Sequence, residues 1–177
     1  MSRLFSAFIC AAIVLAGCFA GGCGGSGYHM GSMAHPQIKT IAIAPVTNET
    51  TIYNAATFMR GMLCDQFMFD GSFKIKEQET ADCIVYARIL SIVTAETMSA
   101  SYNNDQTYRA AEWSATVTVE FTVIIPGRKD PLVKKRVVTG STLYQVEADV
   151  ETNRQRGIQM ACRDAAQQLV QYTTEAF

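Results

Sequence analysis

The sequence predicts an α+β fold: a four-stranded mixed or antiparallel sheet with two helices packed on one of its faces. Two segments, one early and one at the C-terminus, carry apolar residues at helical spacing. Between them, long stretches alternate apolar and polar residues, as strands with one buried face do. The element order β-α-β-β-β-β-α, in which the second strand is short, places long hairpins in the middle of the chain and shows no internal repeat.

The folded part begins with a strand and a helix. Residues 38–44 predict a strand that ends at Pro45, because proline cannot donate to a strand ladder. Asn54 is the predicted N-cap of the first helix. Apolar residues at helical spacing continue to about Phe69, and Asp70-Gly71 is the predicted stop.

Two strands follow the helix. Residues 73–76 predict a short one, and residues 81–93 predict a longer one that is apolar on both faces, as expected for a central strand covered on two sides. Arg88 is the exception on this strand. The face that it occupies also carries Ile84, Tyr86, Leu90 and Ile92. Arg88 must therefore extend to solvent, pair with an acid or face a binding groove, and a position at the solvent rim of the sheet is the favoured interpretation.

A second hairpin is predicted from clear turn signals. Residues 98–108 are polar and contain Asn103-Asn104-Asp105, which is typical of a turn between antiparallel strands. Residues 116–125 alternate one apolar with one mostly polar face and are the clearest strand of the chain. Pro126-Gly127 stops this strand, and residues 132–144 return as the last one.

The C-terminal segment predicts a long amphipathic helix over residues 152–174. Thr152 and Gln155 have the spacing of a capping box. The predicted buried stripe consists of Ile158, Ala161, Cys162, Ala165, Leu169 and Tyr172. Because alanine side chains are small, we expect this helix to approach the sheet closely.

The N-terminus predicts a lipoprotein signal peptide over residues 1–17. Arg3 supplies the positive charge, an apolar run follows it, and Leu15-Ala16-Gly17-Cys18 has the small residues and the cysteine of a lipoprotein cleavage site. The run is too short to span a bilayer. Cys18 is the predicted lipidation site, Cys23 is a weaker second one, and a cleaved secretory peptide with an incidental cysteine is the alternative. Phe19 is not the aspartate of inner-membrane retention, which favours the outer membrane.

The rest of the chain divides into a tether and one domain. Residues 18–34 are glycine-rich and predict a flexible connection from the lipid to the domain. Residues 35–177 are long enough for a single domain with its own core. The formal net charge is −1 and the isoelectric point is about 6.1, so no bulk positive field indicates nucleic acid as a partner.

Four cysteines remain after signal removal and lipidation at Cys18, and they allow three complete pairings. They are Cys23, Cys64, Cys83 and Cys162. None of them has metal-binding spacing, so no metal site is predicted. Cys64 and Cys162 lie on predicted apolar helix faces, where free buried thiols are favoured over a bridge between the two.

The sequence gives little support for catalysis. Its two histidines, His29 and His35, lie in or beside the tether, where a rigid site is hard to build. Neither a nucleophile elbow nor a phosphate-binding glycine loop nor a zinc-protease motif is present. The carboxylates offer no acid and base pair, so we expect no enzyme activity, no catalytic residue and no cofactor.

The best candidate for specific binding is a group of cations on a predicted loop and the strand that follows it, here called the basic cluster. It consists of Arg128, Lys129, Lys134, Lys135 and Arg136. Arg109 is expected to lie near it across the hairpin. Several cations at one end of a sheet can bind phosphate or carboxylate groups, and arginine can do so through two hydrogen bonds. The simpler alternative is that these charges only protect an edge strand from pairing with other chains.

Several short motifs in a fixed order resemble the LptE family of lipopolysaccharide-assembly lipoproteins. They are Cys18, Gly27-Tyr28-His29, IKTIAI at 38–43, Ala111-Glu112-Trp113, VIIPGR at 123–128 and RDAAQQL at 163–169. The match covers almost all of the mature chain. Residues 19–26 lengthen the segment between Cys18 and Gly27 relative to the family, which leaves Cys23 open as the lipidated residue.

The resemblance implies a two-helix, four-strand domain inside the lumen of the LptD β-barrel, anchored by its lipid to the periplasmic side of the outer membrane. It implies a plug and assembly partner that binds lipopolysaccharide in transit to the cell surface. The expected lipopolysaccharide contacts in this chain are Arg128, Lys134, Lys135, Arg136 and Arg109.

Two other classes of protein remain as alternatives. One is a lipoprotein module of a secretion or cell-envelope complex, such as the curli-secretion lipoproteins or the N-terminal domain of TolB, which would assemble with itself or with cell-wall components. The other is a periplasmic enzyme, for which no nucleophile and base are found. Phe69, Tyr102 and Trp113 are candidate interface anchors, although the first and last suit the domain's own core as well.

Overall fold

The computed structural model describes residues 35–101, 108–145 and 149–175. The predicted signal peptide, both candidate lipidation sites, the tether, the Asn103-Asn104-Asp105 turn and Tyr102 lie outside the described residues. Within the described residues, neither helix is long and apolar enough to cross a membrane.

The chain forms an α+β domain with two helices, as predicted, but its sheet has six strands instead of four. The elements are β1 Thr40–Ile43, β2 Thr47–Asn48, α1 Ala55–Asp70, β3 Lys74–Ile75, β4 Cys83–Ser101, β5 Tyr108–Ile124, β6 Val133–Gln145 and α2 Val150–Thr174. The count of four is wrong because the short strand predicted at residues 73–76 joins the sheet as β3, and because β2, which was not predicted, pairs with β4. Each has only two residues, and β2 is too short to show an alternating pattern.

The sheet is mixed and its strand order is β3-β1-β4-β5-β6, with β2 also paired to β4. The strand β1 runs parallel to both β3 and β4. The long strands β4, β5 and β6 form an antiparallel meander. The central position predicted for the strand after residue 81 is therefore confirmed.

One face of β4 is buried under the helices, and the other is open beyond a small buried cluster of Ala42, Ala44, Ala81 and Ile84 at the start of the strand. Side chains of Cys83, Val85 and Ile89 are buried in the main core, whereas Tyr86 on the opposite face is 43% exposed. The expectation that β4 is covered on both sides is wrong, because no described element packs over Tyr86. We call this second side of the sheet the open face.

A bulge in β4 changes which side chains share a face. Ile89 lies opposite Val119, but the next paired residue is Ser91, opposite Thr118, so Leu90 is the extra residue. Ile92 then lies opposite the buried Val117 and packs against the main core. The prediction that Ile92 shares a face with Arg88 is therefore wrong.

The helix α1 begins and ends at the predicted residues, but the predicted capping contact at its N-terminus is absent. Asn54 precedes the helix, but its side chain makes no capping hydrogen bond. Gly71 ends the helix in the left-handed conformation with φ of 71°, and its N–H donates to the Phe67 carbonyl oxygen. The Asp70-Gly71 stop is confirmed.

The N-terminus of α2 is capped by a residue upstream of the predicted one. The Asp149 carboxylate accepts hydrogen bonds from the backbone N–H of Thr152 at 3.1 Å and from its hydroxyl at 2.6 Å. These bonds lower the pKa of Asp149. The capping box at Thr152 is wrong, because Gln155 reaches Glu151 at 3.2 Å and the helix has already begun at Val150.

Both helices and one face of the sheet enclose a single main core. Its largest fully buried side chains are Met59, Leu63, Phe67, Ile41, Ile89, Phe121, Ile158 and Leu169. Of the predicted α2 stripe, all members are buried except Tyr172, which is 39% exposed. Close approach of α2 to the sheet is confirmed at Gly140, where an added Cβ would lie 2.8 Å from the Ala165 Cβ.

The outer edge of β6 is also bonded to α2. The backbone N–H of Ser141 donates to the Asp164 carboxylate at 2.9 Å. The side-chain amide of Gln168 donates to the Thr139 carbonyl oxygen at 3.0 Å. Side chains of a helix thus satisfy two backbone groups that a sheet edge would otherwise present to solvent.

Candidate functional site

The basic cluster begins on the loop between β5 and β6. Gly127 has φ of 82°, and the Arg128 N–H donates to the Ile125 carbonyl oxygen at 3.1 Å, which closes the turn predicted at Pro126-Gly127. Arg128 and Lys129 are exposed there and border an open groove of about 490 Å³. His35 and Asp130 also line this groove.

The sheet separates the members of the cluster that lie on β6. Lys135 reaches over the open face, where its ammonium lies 3.0 Å from a Glu120 carboxylate oxygen. Arg136 pairs in register with the buried Phe121 and therefore lies on the helix side. Its guanidinium carbon is 4.7 Å from the centre of the Tyr172 ring, a cation–π contact. The cluster is thus not one continuous surface.

Three cations of the cluster make no ion pair with any residue of the described ranges. They are Arg128, Lys129 and Lys134, and all three side chains are exposed. Binding of an anion to these side chains would therefore break no ion pair within the described ranges. These three positions therefore offer the most accessible positive charge of the cluster.

Arg109 lies far from the cluster. Its backbone pairs with Ala100 near the start of β5, whereas Arg128 follows the other end of the strand. Fifteen residues separate Arg109 from Ile124, which corresponds to roughly 50 Å of extended strand. The expectation that Arg109 joins the cluster across the hairpin is wrong, because β5 is longer than the pattern in residues 116–125 indicated.

Arg88 belongs to a four-residue ionic network at the open face. Its guanidinium lies 2.8 Å from Glu49 and 2.6 Å from Glu120, and Lys135 contacts the second oxygen of Glu120. Pairing of β2 with β4 brings Glu49 to this position. Arg88 therefore pairs with acids, which was one of the three alternatives, and it does so on the open face of a central strand instead of at the favoured position on the rim of the sheet. The sequence analysis missed Glu49 and Glu120 as its partners.

The network makes folding stability depend on pH. Hydrogen bonds from Lys135 and Arg88 lower the pKa of Glu120 in the folded protein. A carboxyl whose folded pKa is below its unfolded pKa stabilises the fold above the unfolded value and loses that contribution as pH falls through the folded value. We expect Glu120→Gln to lower the melting temperature at pH 7, and the difference from the unaltered protein to shrink steadily below pH 4.5.

Thermal melts followed by circular dichroism between pH 7 and pH 3 measure this effect. The matched control is Glu112→Gln on the same strand, a residue in no ion pair of the described ranges. A melting difference for Glu120→Gln that stays constant across this range would contradict the assignment.

The three described cysteines are free thiols, so the alternative bridge between Cys64 and Cys162 is wrong. Burial raises the pKa of Cys83 and of Cys162 to about 12. Thiolate is the reactive form, so both remain inert near neutral pH. No group of acidic, histidine and cysteine side chains within the described ranges is arranged to hold a metal ion.

Of the two candidate interface anchors that the structure describes, Phe69 is the more exposed. Its side chain is 88% exposed at the end of α1. Trp113 is half-buried on β5 opposite Tyr144. Its indole N–H is buried and lacks a hydrogen-bond partner among the described groups.

A known protein family matches most of this chain. The family model described as LptE, Lipopolysaccharide-assembly, matches residues 38–173, from just before β1 to the last turn of α2. A search of curated protein sequences finds no significant match.

Two solved structures share the fold at low sequence identity. A protein from Xanthomonas campestris is 11% identical, with 77% of this chain and 84% of that chain covered and a TM-score of 0.53. PelC from Paraburkholderia phytofirmans, solved as a dodecamer, is 11% identical, with coverage of 83% and 95% and a TM-score of 0.50. These likenesses concern the fold, whereas the match over residues 38–173 identifies the family: the chain belongs to the LptE family of lipopolysaccharide-assembly proteins.

Proposed function

We propose that the protein is an outer-membrane lipoprotein that plugs and helps to assemble an LptD-type β-barrel and binds lipopolysaccharide during its transport to the cell surface. The family match over residues 38–173 is the observation that carries the proposal. The cleavage motif ending at Cys18 supports a lipid anchor on the periplasmic side of the outer membrane. Acyl chains on that cysteine would hold the domain at the membrane, since each buried CH₂ contributes roughly 0.8 kcal/mol.

The residues proposed to contact lipopolysaccharide differ in the contacts that they already make within the domain. Arg128 and Lys134 are exposed and make no ion pair with a described residue, so phosphate groups would be their first strong partners. Lys135 and Arg136 would have to share or give up Glu120 and Tyr172, respectively. Arg109, at the other end of β5, would contact a separate group of the same ligand.

Reversing three unpaired charges is expected to weaken lipopolysaccharide binding at least about tenfold at low salt. The variant carries Arg128→Glu, Lys129→Glu and Lys134→Glu. Because exposed charges are screened by salt, the loss should become small near 0.5 M NaCl. Titration of the purified protein with labelled lipopolysaccharide at both salt concentrations measures it.

A control variant makes the same change in net charge elsewhere. Arg60, Lys74 and Lys76 are exposed and lie outside the cluster, so their replacement by glutamate should leave binding nearly unchanged. Equal weakening in both variants would show that only net charge matters. Unchanged binding of the cluster variant at low salt would remove these residues from the proposed site.

Co-purification tests the proposed barrel partner. The full-length protein with a C-terminal tag is recovered from detergent-solubilised outer membranes, and mass spectrometry identifies what elutes with it. A β-barrel of the LptD type in near-equal amount is expected. Recovery of self-oligomers or cell-wall proteins without a barrel would contradict the proposal and favour the secretion or cell-envelope module.

A further inference from the structure

A crevice on the surface of the domain is lined by residues of α1 and α2. It has a volume of about 440 Å³. Its lining includes Met62, Asp65 and Phe69 from α1 and Arg156, Met160 and Arg163 from α2. We call this surface the helix crevice.

Part of the helix crevice adjoins the main core, since Met62 packs against that core and Gln66 is buried. By contrast, Phe69 is 88% exposed and Met160 is 60% exposed. These two exposed apolar side chains line one concave surface, which distinguishes them from apolar residues that are exposed singly.

Two cations flank the exposed methionine. Arg156 and Arg163 are seven residues apart on α2, which places them about 10 Å apart along one side of the helix, with Met160 between them. Neither makes an ion pair with a residue of the described ranges. Asp65 is the acidic residue among the crevice's lining. The crevice therefore suits an apolar side chain with carboxylates on either side.

The composition of the helix crevice is that of a protein interface. Aromatic residues, methionine and arginine are enriched at the centres of interfaces, and lysine is depleted. The crevice contains the first three and no lysine. The open face differs, because its charges Arg88, Glu49, Glu120 and Lys135 are already paired with one another. A partner gains less by covering charges that are satisfied within the domain.

We infer that the helix crevice is the surface through which the domain docks against the β-barrel partner, which presents an apolar side chain between acidic residues. The inference rests on the proposed function, because it assigns a surface to that partner. Phe69 and Met160 are the apolar anchors, and the two arginines fix the orientation through charge-assisted hydrogen bonds.

Site-specific photo-crosslinking tests the surface in intact cells. The full-length chain carries p-benzoylphenylalanine at Phe69 or at Met160, and in a matched control at Tyr86 on the open face, which is 43% exposed. Crosslinks to the barrel from the two crevice positions should exceed those from Tyr86 at least tenfold. Strong crosslinks from Tyr86 with none from the crevice would overturn the inference, as would crosslinks from the crevice to another copy of this chain.

Substitutions in the helix crevice provide a second measurement, which distinguishes a wrong docking surface from a wrong proposed function. Met160→Glu, and the pair Arg156→Glu with Arg163→Glu, should each reduce barrel recovery at least tenfold, with melting temperatures within about 2 °C because the sites are exposed. Leu143→Glu, at an exposed side chain of β6, is the control and should not reduce recovery of the barrel. If the unaltered chain captures the barrel and every crevice variant does so equally, the surface is wrong while the proposed function stands. If the unaltered chain captures no barrel, both fail.

Discussion

Replacing Gly140 by alanine should cost about 3 kcal/mol of unfolding free energy, because overpacking against backbone cannot be relieved by a side-chain rotation. An added Cβ on β6 would collide with the Ala161 carbonyl oxygen and the Ala165 amide nitrogen of α2, and would lie 2.8 Å from the Ala165 Cβ. The strand and the helix would have to separate, with loss of packing along their whole contact. Urea unfolding followed by circular dichroism measures the change.

The matched control adds the same methyl group where there is room. Gly61 lies inside α1, and nothing lies within 4 Å of a Cβ built on it. Alanine also has a better helix propensity than glycine, so Gly61→Ala should be neutral or stabilise by up to about 1 kcal/mol. Equal stabilities for the two variants would contradict the close packing of β6 on α2.

Truncating Phe121 to alanine should destabilise the protein by about 3–5 kcal/mol. Its ring on β5 is 1% exposed within the main core, so the change removes buried apolar contacts and leaves a cavity that the sheet and helices cannot fill. Chemical unfolding of the purified domain measures the loss.

Phe69→Ala is the control for Phe121→Ala, because it removes the same ring from an 88% exposed site. Its effect on unfolding should stay within about 0.5 kcal/mol. A loss comparable with that of Phe121→Ala would show that Phe69 stabilises the domain itself. That result would also remove it as an anchor of the helix crevice.

The two helices were predictable because burial sets their pattern directly. Five of the six residues assigned to the buried stripe of α2 are buried, since one side of this helix is covered from Gly157 to Thr174. The cap of α2 was not found, because Asp149 and Thr152 both suit a cap and only the backbone path decides between them.

The long hairpin was only partly predictable. Residues 94–97 lie in β4 but are mostly exposed, so they carry no alternation of buried and exposed positions that a sequence pattern could report. The bulge at Leu90 also leaves no composition signal, yet it moves Ile92 to the other side of the sheet.

The division of the basic cluster was within reach of the sequence. Lys135 and Arg136 are neighbours on a predicted strand, and successive strand residues face opposite sides of a sheet. The position of Arg109 could not be predicted from the sequence, because it depends on how far β4 and β5 extend together. The crevice arginines were missed as well, since their role appears only when α1 lies beside α2.

In the hydrogen bonds between α2 and β6, Asp164 accepts from Ser141 and Gln168 donates to Thr139, so the attachment of the helix and the protection of the sheet edge depend on the same contacts. A copy in which α2 opens loses its core contacts and, in the same step, exposes unpaired backbone groups along a long edge strand. Such an edge is a template for adding strands from other copies. Because α2 occupies two outward backbone groups of β6, it also limits the pairing of this edge with strands of other copies.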